Sequence, residues 1–165
     1  MKQLRRTIRK IILESEEGYI DEHPFFEAVR QYVDEADGDY GAAFIALRHP
    51  DGCSTETYIS INSEDDTGGI WIDKIEVVKT DTREMHPDCF RKGYAKEMLG
   101  ALTKAADETG TPLVLIAASE PYYKRMYPNI NFPDKDQLAK LYAAFGFKEE
   151  YSNYAQVKMS RQPKP

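Results

Sequence analysis

Long apolar runs are missing from this 165-residue sequence, and none approaches the length that spans a bilayer, which excludes a transmembrane protein. Cysteine is scarce as well. Cys53 and Cys89 form neither a CxxC pair nor a disulfide framework, so they fit a reduced cytosol and exclude a structural zinc site of the usual kind. No small-residue cleavage site follows the basic opening MKQLRRTIRKIIL, and the expected location is cytoplasmic. No internal repeat or low-complexity linker interrupts the chain, so residues 1–165 read as one domain, large enough to fold on its core alone. Positive charge is not in excess either. With 22 Lys and Arg against 28 Asp and Glu the net charge is −6, which argues against a nucleic-acid partner.

The charge that is present is unevenly placed. Residues 1–10 carry five cations and no acid, whereas residues 11–41 carry ten acids against Arg30 alone. Leu4, Ile8, Ile11 and Ile12 recur at helical spacing, with a strand across Thr7–Leu13 as the competing assignment. Pro24 can open a second helix, whose stripe of Phe25, Phe26, Val29, Tyr32 and Val33 ends near Gly38. These N-terminal helices fill residues 1–40. Strands are predicted over Ala42–Leu47, around Thr57–Ile61 and over Ile70–Val78, and their short connections imply an antiparallel meander. A helix follows from Tyr94 to about Thr109, then a buried strand, Leu113–Ala118. Asp134 with Gln137 resembles a capping box for the helix of Leu138, Leu141, Tyr142 and Phe145, which Gly146 ends. Tyr151–Met159 reads as a last strand or hairpin, and the RQPKP tail as disordered.

Two segments carry chemistry. FRKGYAKEML follows a strand and opens a helix, where backbone N–H groups and the helix dipole converge on anions. Gly93 permits close approach, Ala95 leaves the first turn uncrowded, and Arg91, Lys92 and Lys96 place three cations around the turn. The bland alternative is a loop-breaking glycine beside solvated lysines. LYAAFGF closes the later helix before the final strands.

Together, in this order, the two segments resemble the GNAT superfamily of acyl-CoA-dependent N-acetyltransferases, most closely over residues 70–160. Its Gln/Arg-x-x-Gly-x-Gly/Ala signature falls on Phe90 to Ala95, with Phe90 in place of the usual Gln or Arg, and its Leu-Tyr…Gly-Phe motif on Leu141, Tyr142, Gly146 and Phe147. The connection from Val77 to Gly93 is longer than the family's, because KTDTREMHPDC is interposed. The resemblance implies an α/β (α+β) fold: a mixed, mostly antiparallel sheet with helices on both faces, its two central parallel strands splayed to admit acetyl-CoA. It implies acyl-donor contacts at Ile75, Val77, Val78, Arg91, Lys92, Gly93, Tyr94, Ala95 and Lys96, and no metal. It also implies a proton donor in Tyr142 and a base in Glu76; His86 is an alternative base by its ordinary pKa. For Tyr142 the competing reading is a core aromatic, and for Glu76 a partner of Lys74 or Lys79. The stretch SEPYYKRMYPNINFP is rich in aromatics; the resemblance implies that it adjoins the acyl group and the acceptor, and the competing reading is a long loop pinned to the core by its rings.

The function this implies is transfer of an acetyl group from acetyl-CoA to a primary amine of a small cationic molecule or peptide by direct attack, the acidic segment 11–41 drawing in the cation. Two rivals stand beside it. One is a non-catalytic protein of the same fold that binds coenzyme A or a protein partner. The other is an acyltransferase acting on a protein or RNA component. The oligomeric state, a homodimer included, stays open.

Overall fold

The computed structural model describes residues 20–38, 41–62 and 68–165. The predicted N-terminal helix over Leu4–Ile12 lies outside them. A 3-10 turn at Ile20–Glu22 leads into helix α1 (Pro24–Val29), where Pro24 presets the first turn and the His23 side chain accepts the Phe25 N–H at 3.1 Å. The helix is shorter than its apolar stripe. The sequence places residues up to Gly38 in that stripe, but Glu35–Gly38 form strand β1, because pairing with strand β2 (Ala42–Arg48) outweighs the weak strand propensity of EADG. Strand β3 (Cys53–Ile61) completes the expected meander, joined to β2 through the turn His49–Gly52.

The next element departs from the sequence in a consequential way. The single strand expected over Ile70–Val78 is two: β4 (Ile70–Ile72) and β5 (Glu76–Lys79). Both pair with β3, at its opposite ends, Ile72 with Ile59 and Glu76 with Glu56. After helix α2 (Tyr94–Thr109), strand β6 (Leu113–Ala118) lies parallel to β4, with Ile72 opposite Leu115. Beyond Ile72 the two strands separate, and among the described residues β5 has no strand on its second edge. Helices α3 (Pro121–Met126) and α4 (Lys135–Ala144) follow, then the hairpin of β7 (Lys148–Ser152) and β8 (Gln156–Arg161). The sheet order is β1-β2-β3-β4-β6-β8-β7, antiparallel except for β4 with β6. Asp134 and Gln137 form the predicted capping box at both hydrogen bonds.

Alternation sorts the side chains. Ile45, Ile59, Ile72, Leu115 and Met159 share one face and form the main core with Phe25, Phe26, Leu99, Leu102 and Tyr142, so α1, α2 and α4 cover that face. Glu76, Trp71, Ile116 and Gln156 point to the other, which α3 reaches through Tyr123.

Two expectations are overturned. Cys53 and Cys89 are not free thiols but a disulfide, their Cα atoms 5.7 Å apart across 36 residues of sequence. In the chain-entropy picture, closing such a loop stabilises the fold by about 4 kcal/mol. The interposed segment 79–89 is accordingly ordered. Lys79 N donates to Glu84 O, Thr80 N to Gly52 O, and a 3-10 turn, Pro87–Cys89, delivers Cys89. The C-terminal tail is anchored rather than disordered at its start. Arg161, 3% exposed, donates to Phe145 O and Asp107, and Lys164 N donates to Asp107 as well. Arg161 holds the Asp107 carboxyl below the usual carboxylate range. No helix among the described residues is long and apolar enough to cross a membrane.

Candidate functional site

A cavity of about 710 Å³ occupies the split between β5 and β6 and passes through the sheet. Its lining takes Ile72, Val77, Leu138, Leu141 and Tyr142 from the helix-covered face and Trp71, Glu76, Ile116 and Gln156 from the other.

The split exposes backbone. Because Lys79 donates its N–H to Glu84, away from β3, alternation turns the N–H and C=O of Val77 the same way, into the cleft. Opposite, Ile70 N donates to Pro112 O, so Val114, Ile116 and Ala118 direct their backbone groups toward β4. That strand stops at Ile72, which leaves the Ile116 carbonyl and both polar groups of Ala118 facing the gap. The cleft thus offers two strand edges to an extended ligand that carries amides.

One end of the cleft is the start of α2. Arg91 (φ 63°) and Gly93 (φ 82°) both take left-handed conformations, and Gly93 caps the helix with no side-chain hydrogen bond. Lys96 N and Glu97 N return to Gly93 O, while the N–H groups of Tyr94 and Ala95 find no partner among the described residues. The predicted cations are not equivalent there. Lys92 Nζ donates to Asp51 at 2.5 Å, and the Tyr94 hydroxyl donates to the same oxygen at 2.7 Å. These bonds hold Asp51 well below the carboxylate range and push the Tyr94 phenol up to about 12. Tyr94 also stacks on His49, ring centroids 3.6 Å apart. Arg91 and Lys96 have no ion pair among the described residues and are exposed beside the turn.

Ile75, Glu76, Val77, Arg91 to Lys96 and Tyr142 all line the cleft. Val78 does not. It is buried, and alternation turns its backbone to β3. His86 lies outside the lining, where it caps the 3-10 turn by accepting the Asp88 N–H at 3.3 Å. Tyr142 is 7% exposed and belongs to the core, packing on Phe147, yet it also borders the cavity; burial pushes its phenol up to about 12. The described acids of segment 11–41 are not in the lining, and Glu35 pairs with Arg48 instead.

Tyr123 is the residue that sequence reasoning missed. Its hydroxyl donates to Glu76 Oε1 at 2.6 Å and accepts from Lys74, whose ammonium lies 3.2 Å from Glu76. Burial pulls the Lys74 ammonium down, but Tyr123 and Glu76 together hold it well above the usual lysine range. Tyr123 stands on α3, a helix signalled only by Pro121 at its first position. The Phe132 ring packs against Tyr123, Tyr127 and Phe90, so the residue at the signature's first position joins an aromatic cluster at the cleft mouth. Among the described residues no group of three or more His, Cys, Asp or Glu is placed to hold a metal ion.

No family model matches the chain, and no curated protein matches it. Solved structures of similar arrangement include a chain from Desulfovibrio desulfuricans assigned as a GNAT-family acetyltransferase, at 13% identity and TM-score 0.49 over 74% of this chain and 69% of that one. A chain from Klebsiella pneumoniae assigned as an acyl-CoA N-acyltransferase is 14% identical, with TM-score 0.46 over 90% of this chain and 100% of that one. A Pyrococcus horikoshii protein is 15% identical, with TM-score 0.41 over 70% and 67%.

Proposed function

We propose that the protein is an acyltransferase that moves an acetyl group from acetyl-CoA to a primary amine by direct attack. One observation carries this reading: two open strand edges and a helix N-terminus with no side-chain cap share a single cleft that passes through the sheet. The free N–H groups of Tyr94 and Ala95, with Arg91 and Lys96, suit the phosphates of coenzyme A, and the edges at Val77, Ile116 and Ala118 suit its amide-bearing arm. Acetyl-CoA supplies the thioester.

The residues then divide the work. Val77 N–H points into the split, where a polarised acyl oxygen needs a donor. Tyr142, kept protonated by burial, is the donor for a departing thiolate on the helix-covered side. Glu76 lies on the opposite side, where an amine would enter past Trp71 and Gln156, and it takes the amine's proton directly or through water. Asp73, Glu76 and Glu120 outnumber Lys74 in this half of the lining, a balance that favours an acceptor arriving as a cation. This support for a cationic acceptor is independent of segment 11–41.

A second reading has its own observation. Glu76 is already engaged by both Lys74 and Tyr123, as in a binding protein that needs no base. Thiol release from acetyl-CoA against a panel of polyamines, aminoglycosides and Lys-rich peptides, run beside calorimetry, separates the two. Turnover supports the enzyme, tight binding without turnover supports the binder, and absence of binding contradicts both.

A further inference from the structure

We propose that the Cys53–Cys89 disulfide sets the affinity of the cleft for acyl-CoA, and that a bound acyl-CoA in turn favours the oxidised form. The inference rests on the acyl-CoA reading of the cleft. Both cysteines are buried, at 0% and 1% exposure, and they pack against Val77, Tyr94 and Ala95. Val77 is the strand-edge donor inside the split; Tyr94 and Ala95 carry the free N–H groups of the helix start. One covalent bond therefore stands behind both sets of backbone donors.

The other ties between the turn His49–Gly52 and the segment leading into α2 are polar and stacked contacts. Lys92 and Tyr94 bond to Asp51, with the Lys92 and Asp51 side chains 41% and 31% exposed, and His49 stacks on Tyr94. Such exposed pairs hold weakly against the motion of a loop. Cys89 follows nine residues that lie outside regular strands, and Phe90 to Gly93 come directly after it. Without the covalent tie, Arg91 to Ala95 lose the preorganisation that an anion site needs.

Cys89 also lines the cleft, whereas Cys53 has no exposed surface. The bond is thus buried directly behind the wall against which the ligand would lie. The chemistry is a two-electron exchange. A thiolate of a dithiol reductant attacks one sulfur to give a mixed disulfide, and its second thiolate closes the reductant into its own disulfide. Cys53 and Cys89 leave as thiols carrying the two electrons and two protons. Linkage fixes the reciprocal effect: the factor by which oxidation tightens binding is the factor by which binding favours the disulfide.

S-Ethyl-coenzyme A, a thioether that neither acylates nor exchanges, is the probe for both arms of the test. Calorimetry on the oxidised chain and on the dithiothreitol-reduced chain should show at least about fivefold weaker binding after reduction. Redox titration with and without saturating probe, read by mass-tagging of free thiols, should show the disulfide favoured by the same factor. Equal affinities with an unmoved midpoint would overturn the proposal, as would a Cys53→Ala/Cys89→Ala variant that binds like the oxidised chain. Circular dichroism follows the reduced chain, and global unfolding on reduction would also overturn it, because the bond would then hold the fold rather than the turn. An oxidised chain that does not bind the probe overturns the acyl-CoA reading instead.

Discussion

The two walls of the cleft are built in opposite ways. The wall of β5 and the α2 turn is fastened by a disulfide, by two bonds to Asp51 and by a stacked His49–Tyr94 pair. At the cleft mouth, the wall beyond β6 is the short helix α3. It buries none of its residues, has no side-chain cap and is held through Tyr123 to Glu76 and by ring contacts with Phe132. Segments with little buried surface open at low cost. A firmly held wall suits an invariant, multiply charged ligand, and a lightly held one suits acceptors that differ in shape. On the proposed reading, the first wall would bind the acyl donor and the second would select the acceptor.

Tyr142 stands between the walls, and Tyr142→Phe should have the largest effect. Turnover should fall about a hundredfold while acetyl-CoA affinity stays within about twofold, since the ring and its packing remain. Because the phenol is held near 12, Tyr142 should impose no loss of turnover in alkaline buffer short of that value. A drop in thermal stability without a drop in turnover per folded molecule would return Tyr142 to the core alone.

Next comes the firm wall itself. A Cβ at Gly93 meets nothing within 4 Å, so Gly93→Val is opposed by its φ of 82° rather than by crowding. Forcing a β-branched residue there, or letting the turn relax, should weaken acetyl-CoA binding about tenfold or more in calorimetry. Unchanged affinity would remove the turn from the binding site.

On the loose wall, Tyr123→Phe keeps the ring but removes the bonds to Glu76 and Lys74. The acceptor's Michaelis constant should rise about fivefold with acetyl-CoA affinity unchanged. A loss of acetyl-CoA affinity instead would erase the division between the walls. The smallest effect belongs to Lys92. Its charge is already balanced by Asp51, so Lys92→Ala should alter acetyl-CoA affinity by less than about twofold, whereas Arg91→Ala should weaken it several-fold. Equal losses would mean that the Asp51 tie breaks when ligand binds.

Local signals were legible in the sequence wherever one element decided its own form. The bounds of α2, the strand Leu113–Ala118 and the capping box of α4 follow from periodicity, a terminal glycine and paired side chains. What was not legible depends on distant partners. Asp73 and Lys74 interrupt the apolar pattern between Ile72 and Glu76, but only the fold shows that the strand divides there, with β5 staying on β3 while β6 leaves β4. Spacing alone does not pair Cys53 with Cys89. Tyr123 reaches Glu76 across 47 residues, so its role was hidden within an aromatic-rich stretch. The tie between Lys92 and Asp51, 41 residues earlier, likewise exists only in the fold.

On the proposed reading, the split between β5 and β6, together with the α2 turn, receives the acyl donor. Residue-resolved amide hydrogen exchange with and without acetyl-CoA tests it most directly. Binding there should bring new protection at Val77, Ala118, Tyr94 and Ala95, the amides left open in the free protein, with little change along β7 and β8. Tight binding of acetyl-CoA that leaves these four amides exchanging as before would contradict it.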